Sequence, residues 1–504
     1  MKKLLAILMT ICLMASALSM LAVPAAADDS GDIVMTVSGI TEDGSIVSTE
    51  RYTSFADGWN QAAKLAKNRT WMDESGLVYI VVDLLGDWTA DDKGEFGSGD
   101  GFKENTICVP ENTKMMINMQ GHTINRGLTK SEDHGEVIFM GKNSQLIING
   151  GSLKDETVEV GKAEQSKDKM GTITGGNSHS GAGGIHLDGN NKLILNNVHV
   201  DGNGTHGERG AGIALFNDST LIMNGGSISN NLLKYRNRDM FILDLSSAPS
   251  GSLYLKNSTA TLNNVELCND NYPGGTGKGT VIYATDGSSL TMENCLVSNN
   301  GTAKSGTRGI IYSKNSTLNI TETDFIDNCP LLESVYINGS KRDNYMFNLE
   351  NSTVYLTGGK LTGNAAEIMF HIQKTQVELR DVTITDNSSW LMNINNEESQ
   401  KVTLINCTLN NNDYPNKGQT EFRRDINVNK KNILSIDGGD LGDTSFNDKS
   451  LVTDLGAGSI FGEGSLTMIV AIVALGALIA SGVSLFLVAD MKKKVAAAAA
   501  KDEE

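Results

Sequence analysis

The stretch NNKLILNNVHVDGN (190–203) contains the pattern that decides the fold of this chain. A polar turn precedes apolar residues at alternate positions, first Leu193 and Leu195 and then Val198 and Val200. This period of two is typical of a β-strand with one buried face. We call the stretch the cassette, and it returns in DSTLIMNGGSISNN (218–231), NSTATLNNVELCND (257–270), GSSLTMENCLVSNN (287–300), NSTLNITETDFIDN (315–328), NSTVYLTGGKLTGN (351–364) and KTQVELRDVTITDN (374–387).

A further apolar position lies upstream of the cassette at a constant distance. The spacing is eight residues in six pairs: Ile185 and Leu193, Ile213 and Leu221, Ile282 and Leu290, Ile310 and Leu318, Met346 and Val354, and Ile426 and Leu434. The segment after each cassette varies in length. One coil therefore has three short strands, two constant turns and one variable loop, which predicts an all-β, parallel β-helix solenoid. Ten or eleven coils at the strand spacing of ~4.8 Å give a length of about 50 Å.

Asparagine recurs at the turns of the cassette. Asparagine tolerates left-handed backbone conformations, and stacked amides can bond to one another along a ladder. With these turns the chain resembles the right-handed parallel β-helix repeat proteins of the cell surface, within the pectin-lyase-like superfamily. The resemblance covers about two thirds of the chain and implies a right-handed coil. It implies no single activity, because that architecture serves lyases, hydrolases, adhesins and autotransporter passengers.

The two ends of the chain predict its location. Residues 1–27 carry Lys2 and Lys3, an apolar core and three alanines before Asp28, as in a secretory signal peptide. Residues 465–489 carry no charge and are long enough to cross a bilayer as one helix. Three lysines follow at 492–494, so the tail 490–504 is expected in the cytoplasm. We expect a single-pass cell-membrane protein with an extracellular N-terminal ectodomain, from a Gram-positive-type bacterium.

Between these ends the sequence predicts three regions. Residues 28–110 form an α/β cap, in which Ser54 begins a helix whose apolar stripe includes Phe55 and Trp59. These two aromatic residues are expected to cover the open end of the β-helix, which spans 111–441. Residues 442–464 form a closing segment and linker.

The net charge and the cysteine content limit the ligands and cross-links that we expect. A net charge of −18 argues against nucleic acid as a partner, whereas it permits a divalent cation such as Ca²⁺. Five cysteines follow the predicted signal peptide, and Cys295 and Cys407 occupy the same cassette position as Val198. Their odd number and irregular spacing predict free, buried thiols rather than disulfides or a zinc site.

The best candidate site is a group of histidines. Four of the seven histidines lie close together in the sequence: His179, His186, His199 and His206. His179 and His206 occupy equivalent loops, with Glu208 and Arg209 beside the second, so stacking places them together for a metal or an acidic sugar. The alternative is that these are polar residues on solvated loops. His186 and His199 are expected to point outward from different faces, because each alternates with inward apolar residues.

An arginine also precedes the first strand of several coils. The four residues are Arg209, Arg308, Arg342 and Arg424. As a stripe along one edge they would suit an anionic glycan, and the alternative is again a solvated surface.

We assign no catalytic residue. Hydrolysis on this architecture requires grouped carboxylates, and no Asp-Asp or Asp-x-Asp lies on the strands of adjacent cassettes. The sequence therefore favours a non-catalytic adhesin or a rod that binds glycan or protein. A polysaccharide lyase or glycoside hydrolase acting on an acidic polysaccharide is the alternative, and a spacer without a ligand is the third possibility.

Overall fold

A computed structural model describes the chain in segments between residues 33 and 454. The side chains described belong to 33–90, 106–151, 170–179, 181–205, 210–232, 251–270, 281–301, 309–328, 345–394, 400–412, 425–442 and 444–453. Of 102–103, 233, 335–337, 340–342 and 454 only the backbone is described.

The N-terminal cap is a small antiparallel sheet covered by a helix. Strand Met35–Thr41 pairs antiparallel with Ile46–Tyr52 and with Leu77–Leu84. The helix Phe55–Lys67 begins at Ser54, whose hydroxyl accepts a hydrogen bond from the backbone N–H of Asp57 at 3.3 Å. A short helix, Arg69–Glu74, follows.

Phe55 and Trp59 close the first coil, as predicted. Both side chains are buried in the main apolar core. The Phe55 ring stacks on Trp88 at 4.5 Å between centroids, and Trp59 Nε1 donates to the carbonyl oxygen of Cys108 at 3.2 Å. The cap thus satisfies a backbone group at the end of the solenoid and covers its apolar interior.

The rest of the described chain is a β-helix-like solenoid of stacked parallel strands, with three strands in each coil. We name the strand positions a, b and c in chain order. Track a comprises Thr106–Val109, Ile138–Met140, Ile185–Asp188, Gly210–Phe216, Gly251–Lys256, Ile282–Thr285, Ile311–Lys314, Tyr345–Glu350, Ile368–Gln373, Trp390–Ile394 and Ile426–Val428, with Phe102–Lys103 antiparallel at its edge.

Tracks b and c belong to one large sheet. Track b comprises Leu77–Leu84, Lys114–Asn118, Gln145–Asn149, Thr259–Asn263, Ser289–Glu293, Thr317–Thr321, Thr353–Thr357, Gln376–Arg380, Lys401–Ile405, Leu434–Asp437 and Thr453–Asp454. Track c comprises Trp88–Thr89, Thr123–Asn125, Gly171–Thr174, Glu266–Cys268, Leu296–Ser298, Asp324–Ile326, Lys360–Thr362, Thr383–Thr385 and Thr408–Asn410. Lys192–Asp201 and Thr220–Ser229 run through both tracks. Parallel pairing therefore already includes Leu77–Leu84, inside the region 28–110 expected as the cap.

Short strands lie outside the three tracks. Three form a parallel ribbon at one corner: Asn177–Ser178, Gly204–Thr205 and Leu232–Leu233. Val335–Ile337 and Ser340–Arg342 form an antiparallel pair. A 3₁₀ turn, Lys449–Leu451, lies near the C-terminal end of the described residues.

Identical or similar apolar residues stack through the interior. One column of track b contains Leu146, Leu193, Leu221, Ala260, Leu290, Leu318, Val354, Val377, Val402 and Leu434. All of them are buried, so the alternation read from the cassette correctly separates inward from outward positions. Truncating one such side chain to alanine costs ~2–5 kcal/mol.

The upstream spacing is not constant, and two of the predicted positions are wrong by one residue. Ile311 and Phe347, rather than Ile310 and Met346, are in register with Ile282. The cause is the turn between tracks a and b. The turn after Ile282 contains two residues with positive φ, Asp286 and Gly287. The turns after Ile311 and Phe347 contain one each, Asn315 and Asn351, so these turns are one residue shorter.

The prediction that the cysteine thiols are free and buried is confirmed for two of them. Cys295 and Cys407 are free and buried, and burial raises the pKa of the Cys295 thiol to about 11. Cys108 and Cys268 are only half-buried, because each points outward from its strand, so the expectation of burial is wrong for them. Cys329 lies outside the described residues.

The C-terminal end is closed less completely than the N-terminal end. Phe446 and Val452 pack against the core and line a half-open hollow of about 360 Å³ with Leu441 and Ile436. Within the described part of the chain, no helix is long and apolar enough to cross a membrane. The predicted signal peptide 1–27, span 465–489 and tail 490–504 lie outside the described residues.

Candidate functional site

Most of the predicted site residues lie outside the part of the chain that the structure describes. These are His206, Glu208, Arg209, Arg308 and Arg424, and Arg342 is described only by its backbone in Ser340–Arg342. The histidine pair and the arginine stripe therefore remain predictions. His179 is described and half-buried, and its Nε2 lies 3.3 Å from the Ser131 hydroxyl. Its backbone N–H donates to the Glu132 carbonyl oxygen at 2.8 Å, so His179 joins its coil to the previous one.

His186 and His199 point outward from different tracks, as predicted, but neither is solvated. Their residues are only 6 % and 1 % exposed, so the interpretation of these two as polar residues on solvated loops is wrong. The period of the strand shows which residues point outward. It does not show which outward residues are then covered.

His186 belongs to a stack of aromatic rings on the outer face of track a. The stack contains Phe139, His186, Phe216, Tyr254, Tyr283 and Tyr312, with successive ring centroids 4.8–5.3 Å apart. Ala214 is the strand partner of both His186 and Tyr254, and the Phe216 ring fills the space left by this small residue. Packing accounts for His186 at this position.

His199 belongs to a buried network of polar side chains on the large sheet. His199 Nδ1 lies 2.8 Å from the Ser227 hydroxyl, which lies 3.0 Å from the Ser229 hydroxyl. The Ser229 hydroxyl donates to Asp201 Oδ1 at 2.7 Å. A serine beside a histidine is the arrangement of an activated nucleophile. Ser227 is only 2 % exposed, however, so no substrate reaches it in this structure, and the network joins neighbouring coils instead.

A buried carboxyl group lies at the corner between tracks c and a. Glu136 is 1 % exposed, and its Oε1 lies 3.6 Å from His134 Nδ1. Burial raises the pKa of Glu136, and the charges of His134 and Arg126 oppose this shift. A β-carbon on Gly181 would lie 3.0 Å from His186 Nδ1 and 3.2 Å from Glu136 Oε2, so the absence of a side chain at 181 leaves room for both.

The arrangement around Glu136 does not form a catalytic or metal site in the described part of the chain. A protonated carboxyl can serve as a general acid, but glycoside hydrolysis requires a second carboxylate across an accessible cleft. Among the described residues, no group of three or more histidine, cysteine or acidic side chains is placed to hold a metal ion. Calcium binding therefore remains a prediction from composition alone.

The large sheet presents a flat, polar and accessible surface in its middle coils. We call the outward residues of four successive track b strands the hydroxyl face: Thr259, Thr261, Asn263, Ser289, Thr291, Glu293, Thr317, Asn319, Thr321, Thr353, Tyr355 and Thr357. Every one of them is exposed or half-buried. Their strands pair in register, so equivalent side chains repeat at ~4.8 Å from coil to coil.

The hydroxyl face is nearly uncharged although the protein is strongly acidic. Glu293 is the one charged member of this set, whereas the whole chain carries −18. Eight members are serine or threonine, and Tyr355 adds a phenol and an aromatic ring. Such a surface offers donors and acceptors to the hydroxyl groups of a neutral polymer.

Searches of known proteins add no relative to this picture. No protein-family model matches the chain, and neither a curated protein nor a solved structure does so.

The sequence pattern that predicts the hydroxyl face is present, but the many serine, threonine and asparagine residues near it are also explained by the turns. In segments such as TATLN (259–263) and SLTME (289–293), the polar residues alternate with the inward apolar ones. Because these outward residues are uncharged, a site defined by histidine, arginine and carboxylate side chains does not include them. No sequence signal identified Glu136 or Ser227, because their burial depends on contacts between coils.

Proposed function

We propose that this chain is a membrane-anchored extracellular rod that binds a polysaccharide or another surface protein through the hydroxyl face, without catalysis. The observation that carries the proposal is the repetition of accessible hydroxyl groups at one spacing on a flat sheet. A long ligand with repeating hydroxyl groups can form the same weak contact on successive coils, so that many contacts add up to useful affinity. The low charge of this face favours a neutral glycan.

The proposal includes features that rest on the sequence alone. They are the right-handed coil, the pectin-lyase-like relationship, the signal peptide, the single membrane span with an extracellular ectodomain, and the Gram-positive-type source. The resemblance of the cassettes and the two apolar terminal segments support them.

The second candidate function is a polysaccharide lyase or a glycoside hydrolase. The observation in its favour is Glu136, a carboxyl group with a raised pKa near His134 and Arg126, as expected for a general acid. Against it stands the burial of that group, which leaves the binding function as the better supported one.

A binding assay with an activity readout tests both candidates. The full chain in detergent is applied to immobilised neutral and uronate-containing polysaccharides, with and without Ca²⁺, and new chain ends are measured in the same samples. We expect retention on a neutral polymer and no new chain ends. New chain ends would favour the enzyme. If the protein is not retained and no new chain ends form, both candidate functions are contradicted.

Thr291→Arg places a long cation in the middle of the hydroxyl face, so it should weaken retention about tenfold or more. The matched control is Thr385→Arg, because Thr385 is a half-buried outward threonine on track c, away from the hydroxyl face. Equal retention of the two variants would show that the ligand lies elsewhere.

A further inference from the structure

A ladder of buried side chains runs along the corner that follows track c. We call it the corner ladder, and its members are Asn203, Asn231, Asp270, Asn300, Asn328, Asn364, Asn387 and Asn412. All eight are buried. Each member lies at the end of a cassette. The segment between it and the next track a strand varies in length: it is short from Asn387 to Met392 and long from Asn231 to Leu253.

Each amide of the corner ladder before the last, Asn412, makes the same three kinds of hydrogen bond, as Asn328 shows. Its Oδ1 accepts from the backbone N–H of Asn300 at 3.2 Å. Its Nδ2 donates to the carbonyl oxygen of Val297 at 2.8 Å and to Asn364 Oδ1 at 3.0 Å. The nitrogen therefore occupies a position between two acceptor oxygens, and only a hydrogen-bond donor suits that position.

Asp270 is the single carboxylic residue of the corner ladder. Its Oδ1 accepts from the backbone N–H and Nδ2 of Asn231, at 2.9 and 3.3 Å, like the other members. Its own backbone N–H donates to Asn300 Oδ1 at 2.9 Å. Its Oδ2 is left in the position that Nδ2 occupies elsewhere.

The repeat identifies what Asp270 Oδ2 faces. Asn231 and Asn300 donate to Val200 and Leu267, each three residues before the preceding ladder member. The equivalent acceptor for position 270 is the carbonyl oxygen of Ile228. Asp270 is 0 % exposed, and its Oδ2 makes no hydrogen bond of ordinary geometry with a described residue. The Ser252 hydroxyl is near enough to favour the charged form.

A carboxylate at this position would place oxygen against oxygen in a site without water contact. A proton on Oδ2 removes the conflict, because the acid then donates as the amides do. Burial raises the pKa of the Asp270 carboxyl well above its usual range. Asp201 is the titratable group in the described coils that acts on it, and its charge raises the pKa further, whereas Asn231 and Ser252 lower it.

We propose that Asp270 is a carboxylic acid whose proton completes the corner ladder, so that the coils on its two sides separate more easily as pH rises. The folded protein holds this proton more tightly than the unfolded chain does. The stabilisation is thus fully present below the unfolded pKa of about 3.9, and it is lost as pH rises through the folded pKa. For a protein proposed to face the outside of a cell, the surrounding pH would then tune the rigidity of the rod.

Thermal unfolding of the full chain from acidic to alkaline pH tests the proposal. We expect Asp270→Asn, which supplies the missing donor, to raise the melting temperature at alkaline pH and to flatten its dependence on pH. Asn300→Asp should do the reverse and add a second loss of stability on the alkaline side. Ser252→Ala should extend the loss of stability to higher pH without abolishing it, because the Ser252 hydroxyl favours the charged form of the carboxyl group.

Infrared difference spectroscopy gives an independent readout. We expect the carbonyl band of a protonated carboxylic acid in the natural chain at neutral pH and a loss of that band in Asp270→Asn. If the natural chain lacks the band at neutral pH, or if Asp270→Asn melts with the same pH course as the natural chain, the proposal is overturned.

Discussion

The corner ladder and a second asparagine ladder on the large sheet use the same residue for different tasks. The second, which we call the outer ladder, contains Asn118, Asn149, Asn196, Asn224 and Asn263, joined by Nδ2-to-Oδ1 bonds of 2.8–2.9 Å. Its amides lie on strands whose backbone groups already pair, so they bond mainly to one another. The corner amides instead bond backbone groups at a turn, where no neighbouring strand offers partners.

The two ladders also differ in which residue types occupy their positions in successive coils. The outer column continues as Glu293, Thr321, Thr357 and Arg380, so its position accepts other residues. The corner column keeps an amide or a carboxyl group in eight successive described coils, from Asn203 to Asn412, and Gly176 occupies the same position in the coil before them. The comparison indicates that an amide is required where it completes backbone hydrogen bonds in a buried position, and is replaceable where it bonds only to other side chains.

The largest effect should follow loss of a corner amide. Asn328→Ala leaves the N–H of Asn300 and the carbonyl of Val297 without their side-chain partner, so the free energy of unfolding should fall by roughly 3 kcal/mol or more. Urea denaturation followed by circular dichroism measures it. A loss no greater than that of an outer-ladder variant would contradict the distinction.

A smaller effect is expected at Asp270. At pH 8 the Asp270→Asn protein should be more stable than the natural chain by about 1–3 kcal/mol, because the natural chain must keep its proton or bury a charge. At acidic pH the two should differ little, since the acid then donates as the amide does. The same urea titration at both pH values checks the sign, and equal stability at pH 8 would contradict it.

The smallest effect is expected in the outer ladder. Asn196→Thr should lower the free energy of unfolding by only about 0.5–1 kcal/mol, because the side chain is half-exposed and water can replace its bonds. Asn300→Thr is the matched control in the corner ladder and should cost several times more. Equal losses would remove the difference between the ladders.

Much of the fold could be predicted from local pattern. The alternation in the cassette identifies the inward columns, and the position of Cys295 beside Val265 marks a buried thiol. Ser54 and Trp59 identify the cap helix and the residue that closes the core. These predictions are confirmed because each depends on residues a few positions apart.

The errors arose where the relevant neighbour lies in another coil. The register at Ile311 depends on how many left-handed residues fit in a turn, and asparagine, aspartate and glycine all permit that conformation. Cys268 is a different case, because it follows the inward Leu267 and the strand alternation by itself places it outward. His186 and His199 also point outward, yet packing between coils buries them.

The sequence by itself determined the repeat, the inward faces, the turn positions and the cap helix, because the periods and turn preferences that encode them are local. Only the tertiary structure decided which polar side chains are buried, since stacking brings together residues about thirty positions apart. The Asp270 carboxyl accepts hydrogen bonds from Asn231 for this reason, whereas in the sequence it is one more aspartate at the end of a strand. The difference between a solvated carboxylate and a buried acid is a matter of which oxygen atoms the fold places beside it.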